Sequence, residues 1–188
     1  MSVWESTPPG TGSIIEFHTS SVSEEVLKEL SKANAWVFAC PLYVDGIPAH
    51  LLSCLVQMEK SELHNCGTPV YGIVNCGFYE GIQAEFALKV LQNWCVKSGF
   101  VWGGGIGVGG GGGLAQMPKV ESGKGPRAPV EKALGAMADT ILRLETQDNC
   151  YVSIAFPRFL YKMAAQMEWR QWIRANGGKR KDLGTRIE

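Results

Sequence analysis

Short apolar segments that are each closed by turn residues constrain the fold of this 188-residue chain more than any other feature. Two of them are complete, at 35–40 (AWVFAC) and 69–75 (PVYGIVN), and a third opens with Phe100–Trp102. A continuous apolar run of this length is typical of a strand that is buried on both faces of a parallel sheet. Apolar residues at helical spacing follow the first run over about 49–63 and the second run over Phe86–Trp94. This alternation predicts right-handed βαβ units and an α/β fold with helices on both faces of the sheet.

The remaining elements define where the folded domain begins and ends. They are a strand at Ile14–Phe17 and helices at about 23–33, 129–145 and 158–176. Ser21 and Glu24 fit the capping-box pattern before the first of these helices, and Gly177 suits the left-handed position that closes the last. We therefore predict one domain over 14–178 that includes the C-terminal helix, a flexible polar leader at 1–13 and a basic tail at 179–188.

Composition argues against several functional classes. Eighteen Lys and Arg residues balance eighteen Asp and Glu residues, which is not typical of a general nucleic-acid or membrane binder. The longest uncharged stretch, Ser98–Pro118, contains ten glycines and few bulky apolar side chains, so it is unsuited to a transmembrane helix. The N-terminus lacks the basic and apolar regions of a signal peptide. Six scattered cysteines without a CxxC pair are typical of buried free thiols, and we expect a cytoplasmic protein without a metal site.

The balanced charge hides an uneven distribution along the chain. Residues 1–100 carry five basic and ten acidic residues, whereas residues 101–188 carry thirteen basic and eight acidic residues. The basic surplus lies in the last helix and the tail, from Arg158 to Arg186. A solvated helix face and a docking surface for an anionic partner or cofactor are the two explanations.

Two loops that directly follow predicted strands are the candidate binding segments, because ligands of open α/β sheets bind at the carboxyl ends of the strands. The loop 41–48 (PLYVDGIP) offers backbone amides and the Tyr43 ring. The loop 75–81 (NCGFYEG) adds further amides, a glycine that allows close approach and two aromatic rings. Two such loops side by side suit a planar redox cofactor, since its ring heteroatoms take hydrogen bonds and its faces take apolar contacts. Two ordinary βα turns whose aromatic residues cap the sheet are the alternative.

A third loop is predicted at 103–113, where nine of eleven residues are glycine. Its match to the G-x-G-x-x-G phosphate-binding pattern is unspecific, so we expect a flexible loop that has the capacity to close over a ligand. Asp45 and Glu80 are acid–base candidates in strand-end loops, although turn formation explains them equally well. The three histidines lack the spacing of metal ligands or of a catalytic triad, and no catalytic side chain is assigned.

The segment from Ile14 to Gly178 resembles the NAD(P)H-dependent, FMN-binding oxidoreductases of the flavodoxin-like fold, the NADPH-dependent FMN reductase group. The resemblance is carried by AWVFACPLYVDGIPAHLL (35–52), VYGIVNCGFYEGIQ (70–83) and FPRFLYKMAAQMEWR (156–170). It implies a three-layer α/β/α fold, a homodimer, and hydride transfer from NAD(P)H through FMN to a quinone, a flavin or another small acceptor. It also implies that two sets of residues flank the isoalloxazine ring of FMN. One set is Pro41, Leu42, Tyr43 and Val44, and the other is Asn75, Cys76, Gly77, Phe78 and Tyr79.

One departure from this family concerns the first unit of the fold. The family begins with a central strand and a Gly/Ser/Thr-rich phosphate-binding loop at a helix N-terminus. Here the first alignable element is the strand at 14–17, which matches the second strand of the family. The segment 6–13 (STPPGTGS) has suitable residue types but no strand before it and no helix after it. The first βα unit is therefore expected to be missing, and a second hypothesis stays open: a non-catalytic flavodoxin-like binding or assembly module with weak or no FMN binding.

Overall fold

Parallel strands alternate with helices along most of the chain. The structure is a computed structural model, and it describes residues 5–6, 14–18, 21–61, 67–114, 121 and 123–184. In chain order the elements are β1 (Glu5–Ser6), β2 (Ile14–Ile15), α1 (Glu24–Leu30), β3 (Trp36–Pro41), α2 (Ala49–Lys60), β4 (Pro69–Asn75), α3 (Glu85–Lys97), β5 (Val101–Gly109), α4 (Gly111–Leu114), α5 (Ala128–Leu142), β6 (Cys150–Ser153) and α6 (Arg158–Ala175). Short 3-10 helices lie at Gly81–Ala84, Gly125–Arg127 and Arg180–Gly184.

Four strands form one parallel sheet in the order β3-β4-β5-β6. Helices flank this sheet, which confirms the α/β class and is consistent with a flavodoxin-like three-layer fold. The prediction of a strand at Ile14–Phe17 within this sheet is wrong. Only Ile14 and Ile15 are extended, and they pair antiparallel with Glu5 and Ser6 in a separate two-stranded ribbon. Both isoleucines are exposed, because two adjacent apolar residues are too few to bury a strand in the sheet.

The first face of the sheet carries the main core. Trp36, Val70 and Val74 point to this face, since side chains alternate along a strand. They share one buried cluster with Leu55 of α2 and with Leu88 and Leu91 of α3. Both helices therefore pack on the same face.

Residues 103–109 of the glycine run lie in the sheet, so the prediction of a loop is wrong for this part, whereas Gly111–Gly113 lie outside the sheet in α4. Residues 103–109 belong to β5, and they are buried. A Cβ atom at Gly105 would lie 2.6 Å from Cδ2 of Leu88, and one at Gly107 would lie 2.5 Å from the carbonyl oxygen of Gly81. Glycine is needed at these positions because side chains and backbone of neighbouring elements pack directly on the strand. A pattern of apolar side chains cannot predict a strand that is made mostly of glycine.

The second face of the sheet is covered unevenly. Tyr71 and Ile106 point to this face and are fully buried, and the Tyr71 hydroxyl donates a 2.7 Å hydrogen bond to the carbonyl oxygen of Glu145. Helix α5 contacts β5 and β6 and contributes the buried side chain of Met137. Over β3, in contrast, Val37 is 45% exposed. Within the described residues of the unit Met1–Ile154, the second face is therefore less closely covered over β3 than over β4 and β5.

The chain divides into two compact units, Met1–Ile154 and Ala155–Glu188. The second unit contains α6 and the last 3-10 helix. Gly177 has a φ of 75°, and the Gly178 N–H donates to the carbonyl oxygen of Ile173 at 2.8 Å, so the predicted glycine cap of this helix is confirmed. Most of the predicted leader at 1–13 and the end of the predicted tail at 179–188 lie outside the described residues. No helix in the described part of the chain is long and apolar enough to span a membrane.

Candidate functional site

The carboxyl ends of the four parallel strands meet at one edge of the sheet. Pro41 pairs with Asn75, and Asn75 pairs with Val108. The Leu42 N–H donates a 2.8 Å hydrogen bond to the carbonyl oxygen of Asn75, which joins the loop after β3 to the end of β4. The two loops that the sequence singles out are therefore direct neighbours in space.

The loop after β3 forms a tight two-residue turn. The Tyr43 and Gly46 backbones exchange two 2.9 Å hydrogen bonds, and the central residues Val44 and Asp45 have φ values of 47° and 61°. Positive φ at both central positions defines a type I′ turn, which favours Asn and Gly. Val44 is fully exposed and Tyr43 is 59% exposed at the tip of this turn.

Replacement of Val44 by Asn is expected to stabilise the protein by about 1 kcal/mol, because a β-branched residue is strained in the left-handed region and Asn tolerates it. Val96→Asn is the matched control, since Val96 is an exposed valine within α3, where Val and Asn have similar helix propensities. Urea unfolding monitored by circular dichroism measures both changes. A gain for Val44→Asn no larger than that for Val96→Asn would contradict the strain at this turn.

Backbone hydrogen bonds join the segment after β4 to the residues that directly follow β5. The Cys76 carbonyl accepts from the Gly111 N–H at 2.9 Å, and the Phe78 carbonyl accepts from the Gly110 N–H at 2.6 Å. Cys76 is buried, and its thiol lies 3.5 Å from the carbonyl oxygens of Phe78 and Glu80. The thiol therefore stabilises the shape of the segment, while the Phe78 side chain is 58% exposed above it.

Gly77 leaves open space at the surface of this segment. A Cβ atom at Gly77 would meet no atom within 4 Å, so the protein itself does not require glycine at this position. Within the described residues, the N–H groups of Val44, Asp45 and Phe78 have no hydrogen-bond acceptor. This edge of the sheet thus combines N–H donors that have no acceptor among the described residues, the exposed rings of Tyr43 and Phe78, and open space beside Gly77.

The remaining candidate residues form no catalytic cluster. Asp45 lies in the type I′ turn, as turn formation predicts, and His50 is exposed in the first turn of α2. Among the residues that the structure describes, no group of three His, Cys, Asp or Glu side chains could hold a metal ion. A surface depression of about 410 Å³ lies between residues 31–34 and Gly67–Pro69, at the opposite ends of β3 and β4.

The structure adds residues to this edge that the sequence analysis missed. Ser153 at the end of β6 accepts a 3.3 Å hydrogen bond from the Gly81 N–H, and the Tyr79 hydroxyl lies 3.4 Å from the carbonyl oxygen of Ile154. The short segment Cys150–Ser153 is the signal for this strand, and four residues are too few to distinguish it from a loop. Strand β6 therefore supports the end of the segment 75–81.

Burial shifts the titration of the thiols near this edge. It raises the pKa of Cys40 from its ordinary value of 9.0 to about 11, and it also raises the pKa of Cys76. Burial raises the pKa of Cys95, in the core below, to about 12. The folded state therefore favours the neutral thiols.

Stability is expected to decline between about pH 9 and pH 11, because the unfolded chain loses the Cys40 proton before the folded chain does. The full contribution is present below pH 9 and disappears as the pH approaches the folded-state value. Thermal melts across this range should fall less steeply for Cys40→Ala than for the unchanged chain. Equal slopes would show that Cys40 does not contribute to the alkaline loss.

Comparison with known proteins leaves the family open: no family model, curated protein or solved structure matches this chain. The resemblance to the FMN reductase group thus stays a prediction from the quoted segments. What the fold itself establishes is the α/β class and the neighbouring positions of the two loops.

Proposed function

We propose that the edge formed by residues 41–48 and 75–81 binds the flat ring of a flavin, and that the chain is an FMN-dependent NAD(P)H oxidoreductase. The observation that carries this proposal is the juxtaposition of the two loops, joined by the bond from the Leu42 N–H to the Asn75 carbonyl oxygen. A flavin ring needs hydrogen-bond donors along its polar edge and apolar contacts on its faces.

The groups present at this edge fit the ring of the cofactor. The N–H groups of Val44, Asp45 and Phe78, which have no acceptor among the residues that the structure describes, are suitable donors for the ring carbonyl and nitrogen acceptors. The exposed Tyr43 and Phe78 rings offer apolar surface, and the gap at Gly77 lets a planar ligand approach the backbone. Bound FMN would supply the capacity to accept and pass on a hydride, so no protein acid or base is required by the proposal.

The phosphate of FMN has no comparable partner in the described part of the chain. Within those residues the parallel sheet begins with β3, so the strand and phosphate-binding loop that open the resembled family are not among its elements. This observation favours the second candidate function, a flavodoxin-like binding or assembly module without catalysis. FMN and riboflavin share the ring and differ in the phosphate, and comparing them separates recognition of the ring from recognition of the phosphate.

Titration of the purified chain with FMN and with riboflavin tests the proposal through flavin fluorescence and thermal stabilisation, because a ligand that binds only the folded state raises the melting temperature. Gly77→Val is expected to weaken flavin binding by at least about tenfold, roughly 1.4 kcal/mol, by filling the gap. Gly135→Val is the control, since a Cβ atom there is equally unobstructed but lies on α5.

The outcomes separate the two functions. Flavin binding that Gly77→Val weakens and Gly135→Val preserves, followed by NAD(P)H oxidation with a quinone acceptor, supports the oxidoreductase. Binding of neither FMN nor riboflavin would sink that proposal and leave the binding module. Equal loss of stability in the flavin-free Gly77→Val protein would instead identify Gly77 as a structural turn glycine.

A further inference from the structure

Gly111, the first residue of α4, lies against the side chain of Asn75. A Cβ atom at Gly111 would overlap Oδ1 and Cγ of Asn75 and would lie 2.6 Å from Nδ2 of the same amide. These are the three atoms nearest to such a Cβ atom, and the φ angle of Gly111 is not in the left-handed region. Glycine at this position is therefore explained by the Asn75 amide, which occupies the space that a side chain would fill.

Asn75 ends β4 at the point where the two candidate loops meet. It pairs with Pro41 of β3 on one side and with Val108 of β5 on the other, and its carbonyl oxygen accepts the hydrogen bond from the Leu42 N–H. The residue is exposed, and its side-chain amide forms no hydrogen bond with any residue that the structure describes. The amide therefore lies at the junction of the loops with its donors and its acceptor unused by the described chain.

The chemistry of an amide determines which part of a flat ring it can recognise. A side-chain amide carries N–H donors and a carbonyl acceptor side by side, and such a pair forms two parallel hydrogen bonds with a ring edge that also offers one donor and one acceptor. The flavin ring has one edge of this kind, where the N3–H group lies between two carbonyl groups. The N–H groups of Val44, Asp45 and Phe78 can only donate, so they cannot bind this ring N–H.

We propose that the Asn75 side-chain amide recognises the N3–H edge of the flavin ring, and that Gly111 is a positioning residue that keeps this amide at the junction of the loops. A binding side chain is effective when its neighbours fix its conformation, and the space at Gly111 does this for the amide. The inference rests on the proposed flavin binding and adds a specificity to it. A ring with an N–H beside a carbonyl group is preferred over the same ring without that N–H.

Two ligands that differ only at N3 test this specificity. They are riboflavin and 3-methylriboflavin, in which a methyl group replaces the N3 hydrogen. Fluorescence titration of the full-length chain is expected to show that riboflavin binds at least about tenfold more tightly, because the methylated ring cannot donate to the amide. Asn75→Ala should bind the two ligands with similar, weak affinity. Asn93→Ala is the matched control, since Asn93 is an exposed asparagine on α3 and its replacement should keep the preference.

Gly111→Ala tests the positioning role without removing the amide. The added methyl group displaces the Asn75 amide, so the preference for riboflavin should be lost although Asn75 is intact. In the Asn75→Ala background, Gly111→Ala should have no further effect on binding, because no amide is left to displace. Gly135→Ala, whose added methyl group meets nothing within 4 Å, should keep the preference. Urea unfolding of the flavin-free Gly111→Ala protein should have nearly the midpoint of the unchanged chain, since the displaced atoms are the end of an exposed side chain.

The outcomes separate this inference from the proposed function. Loss of the preference in both Asn75→Ala and Gly111→Ala supports it. Flavin binding in which the unchanged chain does not distinguish the two ligands, or in which Asn75→Ala still prefers riboflavin, would overturn the inference and leave the flavin site in place. A preference that is lost in Asn75→Ala but kept in Gly111→Ala would overturn the role of Gly111. Binding of neither ligand by the unchanged chain would overturn the inference together with the proposed function.

Discussion

Replacement of Gly107 by Ala is expected to lower the free energy of unfolding by about 3 kcal/mol or more. The added methyl group would lie 2.5 Å from the carbonyl oxygen of Gly81, 2.7 Å from Cδ1 of Tyr151 and 3.0 Å from Cβ of Ala84. The Gly81 oxygen and the Ala84 Cβ cannot move away by a side-chain rotation, because the first is a backbone atom and the second is bonded directly to the backbone. The strand or the 3-10 helix at Gly81–Ala84 must therefore shift to admit it.

Gly135→Ala provides the matched comparison for this substitution. A Cβ atom at Gly135 meets nothing within 4 Å, and the residue lies within α5, so alanine should stabilise the protein by roughly 0.5–1 kcal/mol. Chemical unfolding followed by circular dichroism would report opposite signs for the two glycine-to-alanine changes. If Gly107→Ala were neutral, the close packing of β5 against the Gly81 backbone would be wrong.

The Gly107 substitution also affects the candidate site, because β5 supports the segment after β4. The Cys76 N–H donates a 2.8 Å hydrogen bond to the carbonyl oxygen of Val108, the residue next to Gly107. A shift of β5 would therefore move the segment that carries Gly77 and Phe78. We expect Gly107→Ala to weaken flavin binding together with stability, whereas Gly77→Val should weaken binding alone.

Sequence patterns predict the parts of this fold in which side chains carry the signal. The runs 35–40 and 69–75 are the strands β3 and β4, because each is continuously apolar and closed by turn residues. Burial on both faces is confirmed for β4 and wrong for β3, in which Trp36 is buried while Val37 and Ala39 are exposed. Glycine at 177 predicts the end of α6 through its conformational freedom. The adjacency of the two candidate loops follows from the parallel arrangement of these strands, which explains why both segments could be named before the structure was known.

Other features depend on contacts between distant segments and escape such patterns. The sequence pattern does not predict β5 beyond Trp102. Its glycines are required by the close approach of Leu88, Gly81 and Tyr71, which lie elsewhere in the sequence. The left-handed conformation of Val44 opposes its local preference and is imposed by the closing bonds between Tyr43 and Gly46. The 45% exposure of Val37 is not predicted either, since an apolar strand residue does not indicate how closely its side of the sheet is covered.

Replacement of Trp94 by Ala is expected to cost about 3–5 kcal/mol, a large fraction of the stability of a domain of this size. Trp94 is buried on α3, stacks on Phe100 with ring centroids 5.3 Å apart, and also stacks on Trp36. Its indole N–H donates a buried 3.0 Å hydrogen bond to the carbonyl oxygen of Leu55 on α2. The substitution therefore removes apolar contacts, leaves a cavity and breaks the bond between the two helices.

Trp94→Phe separates these contributions, because it keeps an aromatic ring and removes the N–H. Its expected cost is about 1–2 kcal/mol, well below that of Trp94→Ala. Val96→Ala, on the exposed side of the same helix, should change stability by less than about 0.5 kcal/mol. Helix α2 follows the turn at Tyr43–Gly46 and α3 follows the segment 75–81, so the Trp94–Leu55 bond holds together the helices behind both loops. If Trp94→Phe and Trp94→Ala proved equally costly in urea unfolding, the hydrogen bond rather than the aromatic stack would be the main link between them.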